Sequence, residues 1–104
     1  MIEFLYFSGC PNADKTLANL RAALQELNIN EDILRIKEVN DVETAKNINF
    51  PGSPTILING KDITTGEKPT EFHFACRVYE FNGKRTGIIP KDFIITKLQE
   101  GGFL

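Results

Sequence analysis

The chain has 104 residues, 41% of them hydrophobic and 25% charged, which is room for one domain (1–104) and excludes a disordered, collagen-like or low-complexity protein. Its net charge is −2, and residues 1–52 carry 5 Lys/Arg against 8 Asp/Glu while residues 53–104 carry 7 against 6, so neither half offers the basic stripe that nucleic acid requires. No apolar run approaches the ~18–20 residues that cross a bilayer, and Met1-Ile2-Glu3-Phe4 places no basic segment ahead of a hydrophobic one, so neither a membrane span nor a secretory signal is expected.

Ile2 to Phe7 is a short apolar run bounded by Ser8-Gly9, which reads as a strand buried on both faces. After Pro11 the period changes. Ala13, Leu17, Leu20, Leu24 and Leu27 recur every three or four residues, the stripe of an α-helix, with Pro11 suited to its first position and Asn28 to its stop. Ile33 to Val39 reads as a second, more polar strand nearer an edge. Asn40 and Glu43 have the spacing of a capping box and predict a short helix over 41–47. Phe50-Pro51-Gly52-Ser53-Pro54 forces a loop. Thr55 to Ile58 resumes as a strand, Asn59-Gly60 signals a two-residue hairpin, and Lys61 to Ile63 returns antiparallel. Between Thr64 and Ile89 the pattern is weak, with extended structure within 72–81 and a turn at Asn82-Gly83. Pro90 to Glu100 predicts a closing helix, with Ile94 and Leu98 inward and Gly101-Gly102 at its end. The order is β-α-β-α-β-β-α with an insertion before the last helix. It predicts an α/β sandwich around a mixed four-stranded sheet, its first two strands parallel through a right-handed crossover.

Two cysteines are too few for a secreted disulfide framework, so a cytoplasmic protein with chemically available thiols is expected. Cys10 lies between the first strand and the first helix. Unpaired N–H groups and the macrodipole at a helix N-terminus favour an anion, so a thiolate there is stabilised and a lowered thiol pKa is expected. That makes Cys10 the leading candidate nucleophile; the plainer alternative is a small apolar residue packed beside a strand end.

The element order, the cysteine-proline pair at the strand-to-helix turn, and Ser53-Pro54-Thr55-Ile56-Leu57-Ile58 together resemble the thioredoxin superfamily over most of the chain. More narrowly, Gly9-Cys10-Pro11-Asn12 resembles a group of small thioredoxin-like proteins, some related to selenoproteins and some found in mercury-resistance settings. The resemblance implies a thioredoxin-like fold and thiol–disulfide exchange at Cys10. It also implies a cis Pro54 facing that cysteine, with Pro11, Ser53, Pro54 and Thr55 lining a groove for a protein or small-molecule thiol or disulfide. No cofactor is implied. One departure matters: the family's second motif cysteine is replaced by Ala13, so exchange within the motif is impossible.

The other thiol is Cys76. In this fold the insertion leaves from the sheet edge that carries Cys10, and could bring Cys76 there as a resolving thiol; a structural cysteine on a strand is the alternative. Arg77 could lower a nearby thiol pKa, although an exposed arginine is commoner. His73 and Cys76 have a His-x-x-Cys spacing, but only His73, Cys10 and Cys76 offer soft or borderline atoms, too few for a usual zinc site. Two thiolates could instead hold a soft ion such as Cu(I) or Hg(II), or an organomercurial. Phe72, Phe74, Tyr79 and Phe81 read as core or lid packing, and Asp14 and Asp41 as helix N-terminal charges. Three functions therefore stand at this point: exchange at Cys10, soft-metal binding by Cys10 and Cys76, and a non-catalytic interaction module.

Overall fold

The computed structural model describes residues 1–102. Ile2–Tyr6 forms β1, and successive side chains of a strand point to opposite faces. Ile2 and Phe4 enter one buried cluster and Leu5 the other, so this strand needs cover on both sides. Leu34–Glu38 (β2) pairs with it in parallel, Thr55–Ile58 (β3) antiparallel, and Lys61–Asp62 (β4) extends β3 antiparallel. The order β2-β1-β3-β4 is the mixed four-stranded sheet expected from the sequence, with polar β2 at one edge.

Helices cover the two faces. Ala13–Glu26 (α1) buries Ala13, Thr16, Leu20, Ala23 and Leu24, and with Lys91–Glu100 (α3), through Ile94 and Leu98, it encloses Ile2, Phe4 and Ile56. Val42–Ile48 (α2) covers the opposite face, where Ala45 joins Leu5, Val39, Phe50 and Leu57. A turn of 3₁₀ helix over Glu31–Ile33, absent from the sequence reading, leads into β2.

Two helix starts differ from expectation. Pro11 does not open α1; it lies in a turn closed by Ala13 N–H donating to the Cys10 carbonyl at 3.3 Å, and Asn12 takes the N-cap position. Proline's fixed φ suits the second residue of such a turn as well as it suits a first helical position. The cap of α2 is Asp41, one residue after Asn40. Its carboxylate accepts the Thr44 N–H at 2.7 Å, and this bonding to Thr44 holds the Asp41 carboxyl below the usual carboxylate range.

The stretch from Thr64 to Ile89 returns over the Cys10 end of the sheet. It makes one isolated parallel bridge between Cys76 and Ser53, then a separate hairpin of Tyr79–Phe81 (β5) and Lys84–Thr86 (β6). Asn82 and Gly83 both have positive φ, as the turn between such short strands demands. The aromatics of this stretch divide: Tyr79 and Phe81 stack toward Phe93 of α3, whereas Phe74 packs on Phe7 and Phe50.

Candidate functional site

β1 delivers the chain into the loop before α1, and Cys10 sits in that loop, its N–H donating to the Phe7 carbonyl at 3.3 Å. The residue is 7% exposed and belongs to the larger core cluster. Opposite it, the Ser53–Pro54 peptide is cis. Ser53 is fully buried and holds the two loops together: its hydroxyl accepts the Phe7 N–H at 3.3 Å, and its carbonyl accepts the Cys10 thiol at 3.7 Å.

Cys76 completes the arrangement. Its thiol donates to Cys10 Sγ at 3.7 Å across 66 positions of sequence, and neither cysteine is in a disulfide. The backbone of the Ala75–Arg77 strap fixes this approach. Ser53 N–H donates to the Ala75 carbonyl at 2.9 Å, and Arg77 N–H donates to the Ser53 carbonyl at 2.8 Å. Both backbone groups of the residue before Pro54 are thus engaged within the chain. Gly52 makes the approach possible: it has φ +116°, and a Cβ there would lie 2.6 Å from Arg77 Cγ and 2.9 Å from the Ala75 carbonyl oxygen.

The strap is latched by Arg77, contrary to the exposed arginine that its position suggests. Its side chain is 17% exposed and Nη1 lies 2.7 Å from Asp62 Oδ2, itself almost wholly buried. The same Nη1 donates to Thr55 Oγ1 at 2.9 Å, Nη2 donates to Thr64 Oγ1 at 3.2 Å, and the guanidinium lies 4.6 Å from the centre of the Tyr79 ring. Asp62 Oδ1 accepts from the N–H and hydroxyl of Thr64, so the buried carboxylate is both paired and hydrogen-bonded. Tyr79 donates its hydroxyl to the Pro54 carbonyl at 2.5 Å, and burial pushes that hydroxyl far above the ordinary tyrosine value.

Of the residues singled out in the sequence, Cys10, Ser53, Pro54 and Cys76 come together. Pro11 is exposed in the turn beside them, and Thr55 is fully buried with its hydroxyl bonded to the Gly52 carbonyl and to Arg77. His73 stands in the open, 4.0 Å from Glu71, and no cluster of three or more His, Cys, Asp or Glu among the described residues could hold a metal ion. Gly52, Asp62 and Tyr79 carry no role at the site in the sequence pattern, and Arg77 enters it there only as a charge near a thiol, not as the latch that it forms. Only Asp62, an acid placed opposite Leu57 within the β3–β4 pairing, leaves a trace in the pattern.

A comparison with known families matches residues 2–75 to the thioredoxin domain. The chain belongs to that family. Neither the curated proteins nor the solved structures gave a match. In this thioredoxin domain the matched span contains Cys10, the turn at Pro11 and the cis bond to Pro54, and it stops one residue short of Cys76. The second thiol, its arginine latch and the β5–β6 hairpin lie beyond it. No helix among the described residues is long and apolar enough to cross a membrane.

Proposed function

We propose that Cys10 and Cys76 form a dithiol–disulfide couple and that the protein carries out thiol–disulfide exchange. The observation that carries this reading is the pair of free sulfurs 3.7 Å apart beside the cis bond to Pro54. A disulfide needs about 2.05 Å between sulfurs, so the pair has to close by under ~2 Å, the scale of a side-chain rotation. The missing second cysteine of the motif, replaced by Ala13, is compensated by one 66 positions beyond Cys10. No cofactor is invoked, because the dithiol itself carries the two electrons and gives them up as the sulfur–sulfur bond forms. A cytoplasmic setting belongs to this reading, since thiol pools there return such a couple to its reduced form.

Mild oxidation followed by intact-mass and peptide analysis tests it. The expected product has lost two hydrogens and contains a Cys10–Cys76 cross-link that dithiothreitol reverses. A wild-type protein that stays fully reduced under conditions that oxidise free cysteine would refute the exchange reading. If that protein instead binds one Cu(I), and Cys10→Ser or Cys76→Ser loses it, the pair is a soft-metal site.

A further inference from the structure

We propose that Cys76 is the sulfur that exchanges with partners from outside, and that Cys10 is the internal thiol that resolves the mixed disulfide. This rests on the exchange reading above and reverses the order that the sequence suggests, in which Cys10 is the nucleophile and Cys76 resolves. Accessibility supports the reversal: Cys76 is exposed, whereas Cys10 is 7% exposed and walled in by the core cluster. Thiol–disulfide exchange requires the incoming sulfur to reach the one it attacks, and access helps decide which sulfur that is. Cys76 Sγ lies against Cys10 Sγ at 3.7 Å, so the exposed residue of the pair stands directly on the buried one.

The strap also selects the partner. A peptide pairing with the backbone of Ser53 would need its N–H and carbonyl, and both are bonded to Ala75 and Arg77. The Ala75–Cys76–Arg77 segment therefore takes up the backbone pairing that Ser53 could offer, with its cysteine against Cys10. What remains accessible is a single sulfur, and the class of partner that needs no more is a low-molecular-weight thiol or disulfide. The thiol of Cys76 is pushed up by burial and by its neighbour Cys10. That lowers the thiolate fraction of Cys76 near neutral pH, so its attack on a disulfide is expected to quicken as pH rises, while accessibility decides that Cys76 is the sulfur that attacks.

The steps balance. The Cys76 thiolate attacks a small disulfide RS–SR, forming Cys76–S–S–R and releasing one RS⁻. Cys10 thiolate then attacks Cys76 Sγ, forming the Cys10–Cys76 bond and releasing the second RS⁻. The two protons from the protein thiols end on the two RSH products, so RS–SR is reduced by two electrons as the dithiol is oxidised.

The test uses 2-hydroxyethyl disulfide with the full-length protein. Cys10→Ser, which keeps Cys76, is expected to form a mixed disulfide at least tenfold faster than Cys76→Ser, which keeps Cys10. In wild type, acid quenching at early times followed by peptide mapping should find the adduct on Cys76, a readout independent of how the variants fold. Equal rates in the two variants, or an early wild-type adduct on Cys10, would overturn the assignment while a Cys10–Cys76 disulfide still forms. Absence of that disulfide would instead remove the exchange reading itself.

Discussion

At the scale of single residues, the two cysteines are chemically unequal although they touch. Cys76 is raised above the ordinary thiol value first by desolvation of its sulfur, then by the bond it donates to Cys10 and by Coulombic repulsion from Cys10. The folded protein therefore keeps a proton on Cys76 that the unfolded chain has released, over a window opening near the unperturbed value of about pH 8.5. There the unfolded state binds fewer protons, so stability falls as pH rises through the window, and the contribution is complete only below it. Thermal melts of the reduced protein are expected to lose Tm with rising alkalinity more steeply in wild type than in Cys76→Ser. Iodoacetamide labelling of Cys76 should inflect at a lower pH in Cys10→Ser than in wild type, because two of the three causes come from Cys10. An inflection that stays where it was would show that desolvation alone sets the thiol.

Elements, by contrast, were mostly legible where hydrophobic period and local chemistry agree. The stripe through Ala13, Leu20 and Leu24 is the buried face of α1, the Asn59-Gly60 turn joins β3 to β4, and Ile94 with Leu98 face inward from α3. The period hides a polar member of the α1 face. Thr16 is fully buried, and its hydroxyl accepts the Ile89 N–H at 3.2 Å, while Asn19 donates to the Ile89 carbonyl at 2.9 Å. These two bonds attach the end of the insertion to α1 just before α3 begins. A threonine on a helix carries no sign that it will satisfy backbone groups 73 residues away, so the attachment could not be read in advance. Thr16→Val keeps the shape and leaves the Ile89 N–H buried without a partner, which costs roughly 1–3 kcal/mol. Urea denaturation should show that loss with an unchanged m-value, and Thr16→Ser should recover most of it. A Val variant as stable as wild type would mean that the N–H finds another acceptor.

For the molecule as a whole, the fold was readable and so was the candidacy of both thiols, but what holds Cys76 against Cys10 was not. Cys10 announces itself by its place at a strand-to-helix turn, and the cis Pro54 only through the family resemblance that Ser53-Pro54-Thr55 carries. The position of Cys76 depends on a long-range set that has no local signature: the gap left by Gly52, the pairing to Ser53, and the buried Arg77–Asp62 ion pair. The latch acts on stability and on the thiol pair in separable ways. Arg77→Ala abandons a buried carboxylate, and breaking such a pair from one side costs about 3 kcal/mol or more. Adding Asp62→Asn removes the stranded charge and should return most of that stability, leaving a folded protein whose strap is no longer pinned. Pre-ordering raises the effective concentration of Cys76 at Cys10, so loss of the pin should weaken the disulfide even when the fold is restored. Equilibration in glutathione redox buffers is expected to show a Cys10–Cys76 bond about tenfold less stable, ~1.4 kcal/mol, in both the single and the double variant. If the double variant regained the wild-type equilibrium, the Ser53 backbone pairing alone would hold Cys76 in place, and the ion pair would serve only the stability of the fold.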